Sequence, residues 1–187
     1  MKKLIAILVV AFVAMSATFA IDMSAGGGLV FGSMTYKVEY DFGPLTVDIS
    51  DTDSMYGAFG FFDATYIQVS IGYTKVNHDN EVSSLEFDFL GKYPFPVGKK
   101  FHVFPLAGLG YQKAVSVETG DEADYSHLNL KGGVGGDFAI TEKLYVRATG
   151  LFVYDFDNKN ERDLQDDYDA KISSYGFAFS AAVGYKF

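Results

Sequence analysis

The sequence of 187 residues contains no cysteine and no tryptophan, and it has only four prolines. Without cysteine the chain has no disulfide framework, no thiolate metal site and no thiol nucleophile. Cationic residues are also scarce, because 15 Lys and Arg stand against 24 Asp and Glu, for a net charge of -9 and a pI near 4.7. Such an acidic chain lacks the basic surface that binds a phosphate backbone, so nucleic acid is excluded as a main partner.

Apolar residues are abundant: 49% of the chain is hydrophobic and 17% is aromatic, as expected for a folded domain. The longest apolar run, Leu4 to Met15, follows Lys2 and Lys3 and precedes small residues that end at Ala20. This arrangement predicts a secretory signal peptide over residues 1–20, and it leaves 21–187 as a single domain. The run is shorter than the roughly 20 apolar residues that a membrane helix needs.

The rest of the chain alternates between apolar and polar residues, which is typical of strands with one apolar face. The pattern is clearest over Tyr66–Val76, Val82–Tyr93, His127–Phe138 and Ser174–Phe187, and it is weaker over Ala25–Thr35, Met55–Phe62, Lys100–Gln112 and Leu144–Tyr154. Pro105 removes a ladder donor within one of these strands, which predicts a bulge or an open rung there. The pattern predicts an all-β fold of about eight consecutive strands.

Connections of two lengths alternate between the strands. Long acidic connections are predicted over Tyr36–Ser54, Lys113–Ser126 and Asp155–Lys171, with a shorter one at Asn77–Glu81, and tight turns are predicted near Asp63–Thr65, Pro94–Gly98 and Ala139–Lys143. Short turns at one end and long loops at the other are typical of transmembrane β-barrels. The sequence therefore predicts an up-and-down antiparallel barrel with short periplasmic turns and longer extracellular loops.

Charge is segregated between the two faces of these strands. The apolar faces have no charged residue at their central positions, whereas Glu86, Asp88, Lys131 and Arg147 lie on the opposite faces. A sheet in lipid must close to satisfy its edges, so the apolar faces are predicted to meet lipid and the four charged residues to form an ion-pair network in the lumen. A soluble lipocalin-like carrier, in which the apolar face lines the cavity, is the alternative reading.

The C-terminal strand carries a resemblance to a known class of protein. Val183, Tyr185 and the final Phe187 alternate in a pattern that resembles the signal recognised by the bacterial barrel-assembly machinery. With the glycine-rich segment 132–138 and the segment 141–147 that follows it, the chain resembles small eight-stranded outer-membrane barrels of the OmpX, OmpW and OmpA-transmembrane type, and more loosely spirochaete barrels. The resemblance implies the bacterial outer membrane as the location, and membrane lipids, periplasmic chaperones and the assembly machinery as partners.

Two functions are consistent with such a barrel. The first is a non-enzymatic protein with a largely plugged lumen that displays acidic loops at the cell surface, in a structural, adhesive or host-interaction role whose extracellular ligand is unknown. The second, implied by the OmpW likeness, is a narrow conduit for small apolar molecules lined by Phe104, Leu106 and Leu151. A wide pore is excluded because side chains nearly fill an eight-stranded barrel.

Catalysis and metal binding find little support in the sequence. Ser126 and His127 are adjacent, so a strand directs them to opposite faces and cannot pair them as nucleophile and base. The acidic residues Asp163, Asp166, Asp167 and Asp169 do not follow calcium-loop spacing. No catalytic residue, cofactor or metal site is predicted.

Overall fold

The alternating segments form long antiparallel strands. The computed structural model describes residues 22–41, 46–77, 82–117, 126–156 and 170–187, so the predicted signal peptide lies outside the described residues. The strands are β1 (Met23–Asp41), β2 (Thr46–Ala64), β3 (Ile67–Asn77), β4 (Val82–Lys92), β5 (Phe95–Pro96), β6 (Phe101–Val117), β7 (Ser126–Ala139), β8 (Leu144–Asp155) and β9 (Ala170–Lys186). Among the described residues, no helix is long and apolar enough to cross a membrane.

The strands close into a barrel. Each long strand pairs antiparallel with the next along the chain, β4 pairs with β6, and β9 returns to pair with β1 from Ser24↔Lys186 to Tyr40↔Ala170. The two-residue β5 pairs with β6 only. The wall therefore has eight long strands, which confirms the predicted up-and-down barrel.

The ladder between β4 and β6 is interrupted opposite Pro105. Pairing runs to Lys92↔Leu106 and resumes at Phe95↔Val103, and between them the Tyr93 amide donates to the Pro105 carbonyl oxygen at 3.2 Å. Pro105 has no amide hydrogen to donate to the Tyr93 carbonyl oxygen, so only one of the two hydrogen bonds of this rung forms. An open rung is one of the two outcomes predicted for Pro105. The register shift in this pair of strands occurs elsewhere, at Ser83 and Ser84.

Tight turns and chain ends share one end of the barrel. Only Thr65 and Tyr66 separate β2 from β3, residues 140–143 separate β7 from β8, and Met23 lies beside Phe187. Thr65 has a positive φ of 40°, as a sharp turn can require. The other ends of the strands, among them Asp41, Asn77, Val117 and Asp155, lie at the opposite end. By the rule for such barrels, the tight-turn end is periplasmic and the other is extracellular.

The expected long loop over Tyr36–Ser54 is wrong. This segment is a paired hairpin, with register continuing through Tyr36↔Asp51 to Asp41↔Thr46, and only residues 42–45 connect the strands. The alternation of apolar and acidic residues persists on both sides of Gly43 and Pro44, the only strong turn residues in the segment. The high acidic content of this segment therefore led to the prediction of a loop where the structure has the outer parts of β1 and β2, two strands of 19 residues each.

Candidate functional site

Charged side chains that face the lumen gather in two clusters. The Arg147 cluster consists of Arg147, Asp63, Asp137, Gln68 and Lys92. Its centre is the Arg147 guanidinium, which donates from Nε and Nη2 to the two oxygens of Asp137, both at 2.7 Å. It also donates from Nη2 to Asp63 at 2.6 Å and from Nη1 to Gln68 at 2.7 Å. Lys92 Nζ contacts the same Asp63 oxygen at 2.5 Å, so two cations balance two carboxylates.

Aromatic rings surround this guanidinium. Its central carbon lies 4.8 Å from the ring centroid of Phe61, 4.9 Å from that of Phe104 and 5.3 Å from that of Tyr145. Phe104 and Tyr145 are fully buried, and the Tyr145 hydroxyl is hydrogen-bonded to Ser24 at 2.8 Å. A Cβ at Gly135 would lie 2.3 Å from the Phe104 ring, so glycine there makes room for that ring in the lumen. Ion pairs and rings together occupy the cross-section of the lumen at the level of Arg147.

The Lys131 cluster, which consists of Lys131, Glu86 and Asp88, lies nearer the extracellular end. Lys131 Nζ is 2.6 Å from Glu86 Oε1 and 2.6 Å from Asp88 Oδ1, and Ser70 donates to Asp88 at 3.0 Å. Lys131 is on β7 and both carboxylates are on β4, so the lysine reaches across the intervening β6. Gly110 on β6 permits this, because a Cβ there would lie 2.6 Å from Asp88 Oδ1 and 3.0 Å from Lys131 Cε.

The structure divides the predicted group of four residues. It brings Glu86, Asp88 and Lys131 together, but Arg147 binds Asp63 and Asp137 instead. The sequence analysis places Asp63 in a tight turn and does not predict it as a partner of Arg147, whereas the structure pairs the two side chains. The sequence feature that could have revealed Asp63 is its position: it lies two residues after Phe61 and four after Phe59, so a strand directs all three side chains to the same, inward face.

Two of the cavities lined by described residues lie on opposite sides of the Arg147 cluster. The larger, of about 110 Å³, lies at the periplasmic end beside Met23, Lys92 and His102. The other, of about 60 Å³, lies on the extracellular side of the Arg147 cluster and is bordered by both apolar side chains and the Lys131 cluster. The Arg147 cluster separates the two.

The described residues include one neighbouring serine and histidine that the sequence singles out, Ser126 and His127. Ser126 and His127 are consecutive residues of β7, which directs their side chains to opposite faces. In the ranges that the structure describes, no three His, Asp or Glu residues are placed to hold a metal ion. The acidic group Asp163, Asp166, Asp167 and Asp169 lies outside those ranges.

The outer surface carries an apolar belt. Every long strand exposes large apolar residues outward, among them Leu29, Tyr56, Ile71, Phe89, Leu109, Leu130, Phe152 and Phe179. Phe87, Phe179 and Val183 are 47%, 62% and 50% exposed, whereas Arg147 is 3% exposed. A soluble carrier would turn the apolar set toward the axis, so this alternative is excluded. In water such a belt would be a severe aggregation liability, and its natural environment is hydrocarbon.

The comparison with solved structures agrees with this architecture. The chain is similar to Neisserial surface protein A, with 16% identity and a TM-score of 0.51, over 88% of this chain and 99% of that one. The fold is that of a small outer-membrane β-barrel. Barrel and belt together place the chain in the bacterial outer membrane, as predicted, in contact with its lipids.

Two further matches have lower TM-scores. The N-terminal β-barrel domain of Pseudomonas aeruginosa OprF has 12% identity and a TM-score of 0.44, over 86% of this chain and 99% of that chain. Ail, the attachment invasion locus protein of Yersinia pestis, has 15% identity and a TM-score of 0.43, over 87% and 99%. No family model and no curated protein matches the sequence.

The C-terminal residues lie on the outer face of β9 and at its end. Val183, Tyr185 and Phe187 are all exposed, the rings of Tyr185 and Phe187 are 6.0 Å apart, and Lys143 Nζ lies 5.6 Å from the Tyr185 ring. Outward orientation leaves them accessible to another protein before the barrel enters lipid. Their role as an assembly signal stays a prediction.

Proposed function

We propose that this chain is a non-enzymatic outer-membrane protein that displays an acidic β-hairpin and acidic loops at the cell surface, with a lumen closed by the Arg147 cluster. Residues 1–20 direct export, and the C-terminal strand directs assembly through periplasmic chaperones and the barrel-assembly machinery. The observation that carries the display role is the length of the β1–β2 hairpin.

This hairpin extends beyond the neighbouring strand. The pairing of β2 with β3 ends at Ser54↔Asn77, whereas residues 46–53 pair with β1. Eight residues at about 3.3 Å each extend roughly 26 Å, which is too far to remain at the membrane surface. Within the described residues, the edge of β2 that faces β3 has no strand partner over this stretch. Such an edge is a template for strand addition by another chain.

The hairpin's side chains indicate the chemistry of the partner. Ile49 is 56% exposed and Val47 is 38% exposed, and they alternate with Thr46, Asp48 and Ser50, with Asp51 directly after them. Lys37 hydrogen-bonds Glu39 and lies 3.4 Å from Asp48, and the Glu39 contact raises the pKa of the Lys37 ammonium above its usual value. An extended segment that alternates basic and apolar residues complements this edge.

Packing of the predicted conduit lining favours display over transport. Phe104 has no exposed surface, and its ring lies against the Arg147 guanidinium and 4.9 Å from Lys92 Nζ. Leu106 is 3% exposed, and Leu151 packs against Met34 and other buried residues. A conduit needs a continuous apolar gap along these residues, whereas Phe104 packs against charged groups, Leu106 is buried and Leu151 packs against the Met34 group.

Display is tested by cysteine labelling, which the absence of natural cysteine makes unambiguous. A Ser50→Cys variant, in the hairpin, should react with a membrane-impermeant maleimide on intact cells. The matched Lys99→Cys variant, in a tight turn at the opposite end, should react only after the outer membrane is permeabilised. The reverse pattern, or equal labelling of both, contradicts the proposed orientation.

The partner chemistry is tested with a synthetic peptide of alternating lysine and valine. We expect it to bind the refolded protein more weakly as salt rises, and to lose at least tenfold in affinity when Asp48 and Asp51 are both changed to Asn. The change Glu142→Gln, at a periplasmic turn, should leave binding unaltered. Binding that does not respond to the paired Asp changes refutes the role of the hairpin edge.

A further inference from the structure

The cavity on the extracellular side of the Arg147 cluster has two unlike walls. Strands β1, β2, β8 and β9 line it with apolar side chains that include Met34, Met55 and Val153. The facing strands line it with Glu86, Asp88 and other polar groups. A cavity with an apolar wall and a charged wall fits an amphipathic molecule, which has one apolar end and one charged end.

The charged wall has a surplus of negative charge. Lys131 is the cation within contact of both Glu86 and Asp88, so two carboxylates share one ammonium. All three side chains are largely buried, with exposed fractions of 4%, 16% and 14%. A buried carboxylate without full compensation is costly, and a second cation relieves that cost.

A buried amide next to Asp88 adds a further uncompensated acceptor beside the two carboxylates. Asn129 has no exposed surface, and neither its amide nitrogen nor its amide oxygen has a hydrogen-bond partner in the structure. Its oxygen and Asp88 Oδ1 lie 2.2 and 2.6 Å from the point that a Cβ on Gly110 would occupy, and Lys131 Cε lies 3.0 Å from that point, so the amide oxygen lies beside the Lys131 cluster and not among the groups that line the cavity. Buried amides are normally hydrogen-bonded, and this one offers an unused acceptor next to the surplus carboxylate.

We propose that this cavity binds a small amphipathic cation, a primary ammonium group on a short apolar body. The ammonium is held by Glu86 and Asp88, and the body contacts Met34 and Met55. A cavity of about 60 Å³ holds about five waters, and hence a molecule of about five non-hydrogen atoms such as n-butylammonium. Because the Arg147 cluster forms the floor, the ligand enters and leaves on the extracellular side. This binding role goes beyond the proposed display function.

The test is a titration of the refolded protein, labelled with ¹³C at the methionine methyl groups, in a zwitterionic detergent. Met34 and Met55 report on this cavity, and Met23, which lines the separate periplasmic cavity, is the internal reference. With n-butylammonium we expect saturable shifts at Met34 and Met55 while Met23 stays unchanged. The uncharged n-butanol, of nearly equal size, should need at least tenfold higher concentration.

A pair of variants then tests the carboxylates. Glu86→Gln should weaken n-butylammonium binding at least tenfold, and Glu142→Gln, the same change at an exposed turn, should leave it unchanged. The proposal is overturned by any one of four results: no saturable shift, equal potency of n-butanol, parallel movement of Met23, or unaltered binding by Glu86→Gln. The comparison of amine with alcohol needs no variant, so it decides the matter even where Glu86→Gln fails to fold. Surface labelling at Ser50→Cys is independent of every one of these results.

Discussion

Replacing Arg147 with methionine tests whether the Arg147 cluster stabilises the barrel. The change removes four hydrogen bonds, two of them to Asp137, one to Asp63 and one to Gln68. It leaves buried carboxylates without their main cation. Methionine has similar length and no charge, so it preserves much of the packing in the aromatic surroundings.

The magnitude follows from two opposing effects. Removing one partner of a buried, hydrogen-bonded ion pair costs about 3–5 kcal/mol. Contacts of the new thioether with Phe61, Phe104 and Tyr145 return about 1 kcal/mol. The free energy of unfolding should therefore fall by about 2–4 kcal/mol, which lowers the ratio of folded to unfolded protein by a factor of roughly 30 to 700.

The measurement is urea unfolding of the refolded protein in a zwitterionic detergent, followed by tyrosine fluorescence and by heat-dependent migration in gels. The matched change Lys143→Met removes an exposed cation and should cost less than about 0.5 kcal/mol. In a double-mutant cycle with Asp137→Asn, the combined loss should be smaller than the sum of the single losses. An Arg147→Met protein within about 0.5 kcal/mol of the wild type, or strict additivity in the cycle, refutes the reasoning.

Three further predictions concern the wall, the belt and the lumen. Gly110→Ala should lower the free energy of unfolding by about 1–3 kcal/mol, because its Cβ would meet the Asn129 oxygen at 2.2 Å. The control Gly132→Ala, whose Cβ would meet nothing within 4 Å, should leave the free energy of unfolding unchanged, and equal urea midpoints for the two variants would contradict the close approach at Gly110. Phe179→Lys places a charge in the apolar belt and should lower the free energy of unfolding by about 2–4 kcal/mol. Ile49→Lys, at similar exposure on the hairpin, should leave it nearly unchanged, and similar losses for both variants would contradict the assignment of Phe179 to the lipid-facing belt. In planar bilayers the wild-type protein should insert without discrete conductance steps, and reproducible steps would contradict the closed lumen.

Sequence reasoning predicted the barrel from one local property, the two-residue alternation. Phe177, Phe179 and Val183 face outward and Ala178 and Ala182 face inward as the pattern of the last strand predicts. Alternation failed as a guide where acidic composition outweighed it, since 36–54 is predicted as a loop although apolar residues occupy every second position over 36–42 and again over 45–49.

The lumen was less predictable because its contacts join distant parts of the chain. Parity alone was enough to predict that Lys131 and Arg147 face inward. It gave no information on which carboxylate each would meet, since Arg147 binds Asp63 across 84 residues and Lys131 binds Glu86 across 45. Those pairings depend on strand tilt and register around a closed wall, and on glycines such as Gly110 that let a side chain cross a strand.

The one-dimensional order of apolar, polar and charged residues by itself determined which residues share a strand face and that such a sheet must close if it lies in lipid, whereas the outward direction of the apolar face was decided by the tertiary structure. This is so because side-chain direction along a strand depends on sequence parity, and because lipid forbids an open sheet edge. Only the tertiary structure decided how the inner charges divide into a neutral, ring-enclosed cluster and an acidic one, and how far the first hairpin extends. Both depend on which residues closure brings opposite each other, a three-dimensional relation that no local pattern contains.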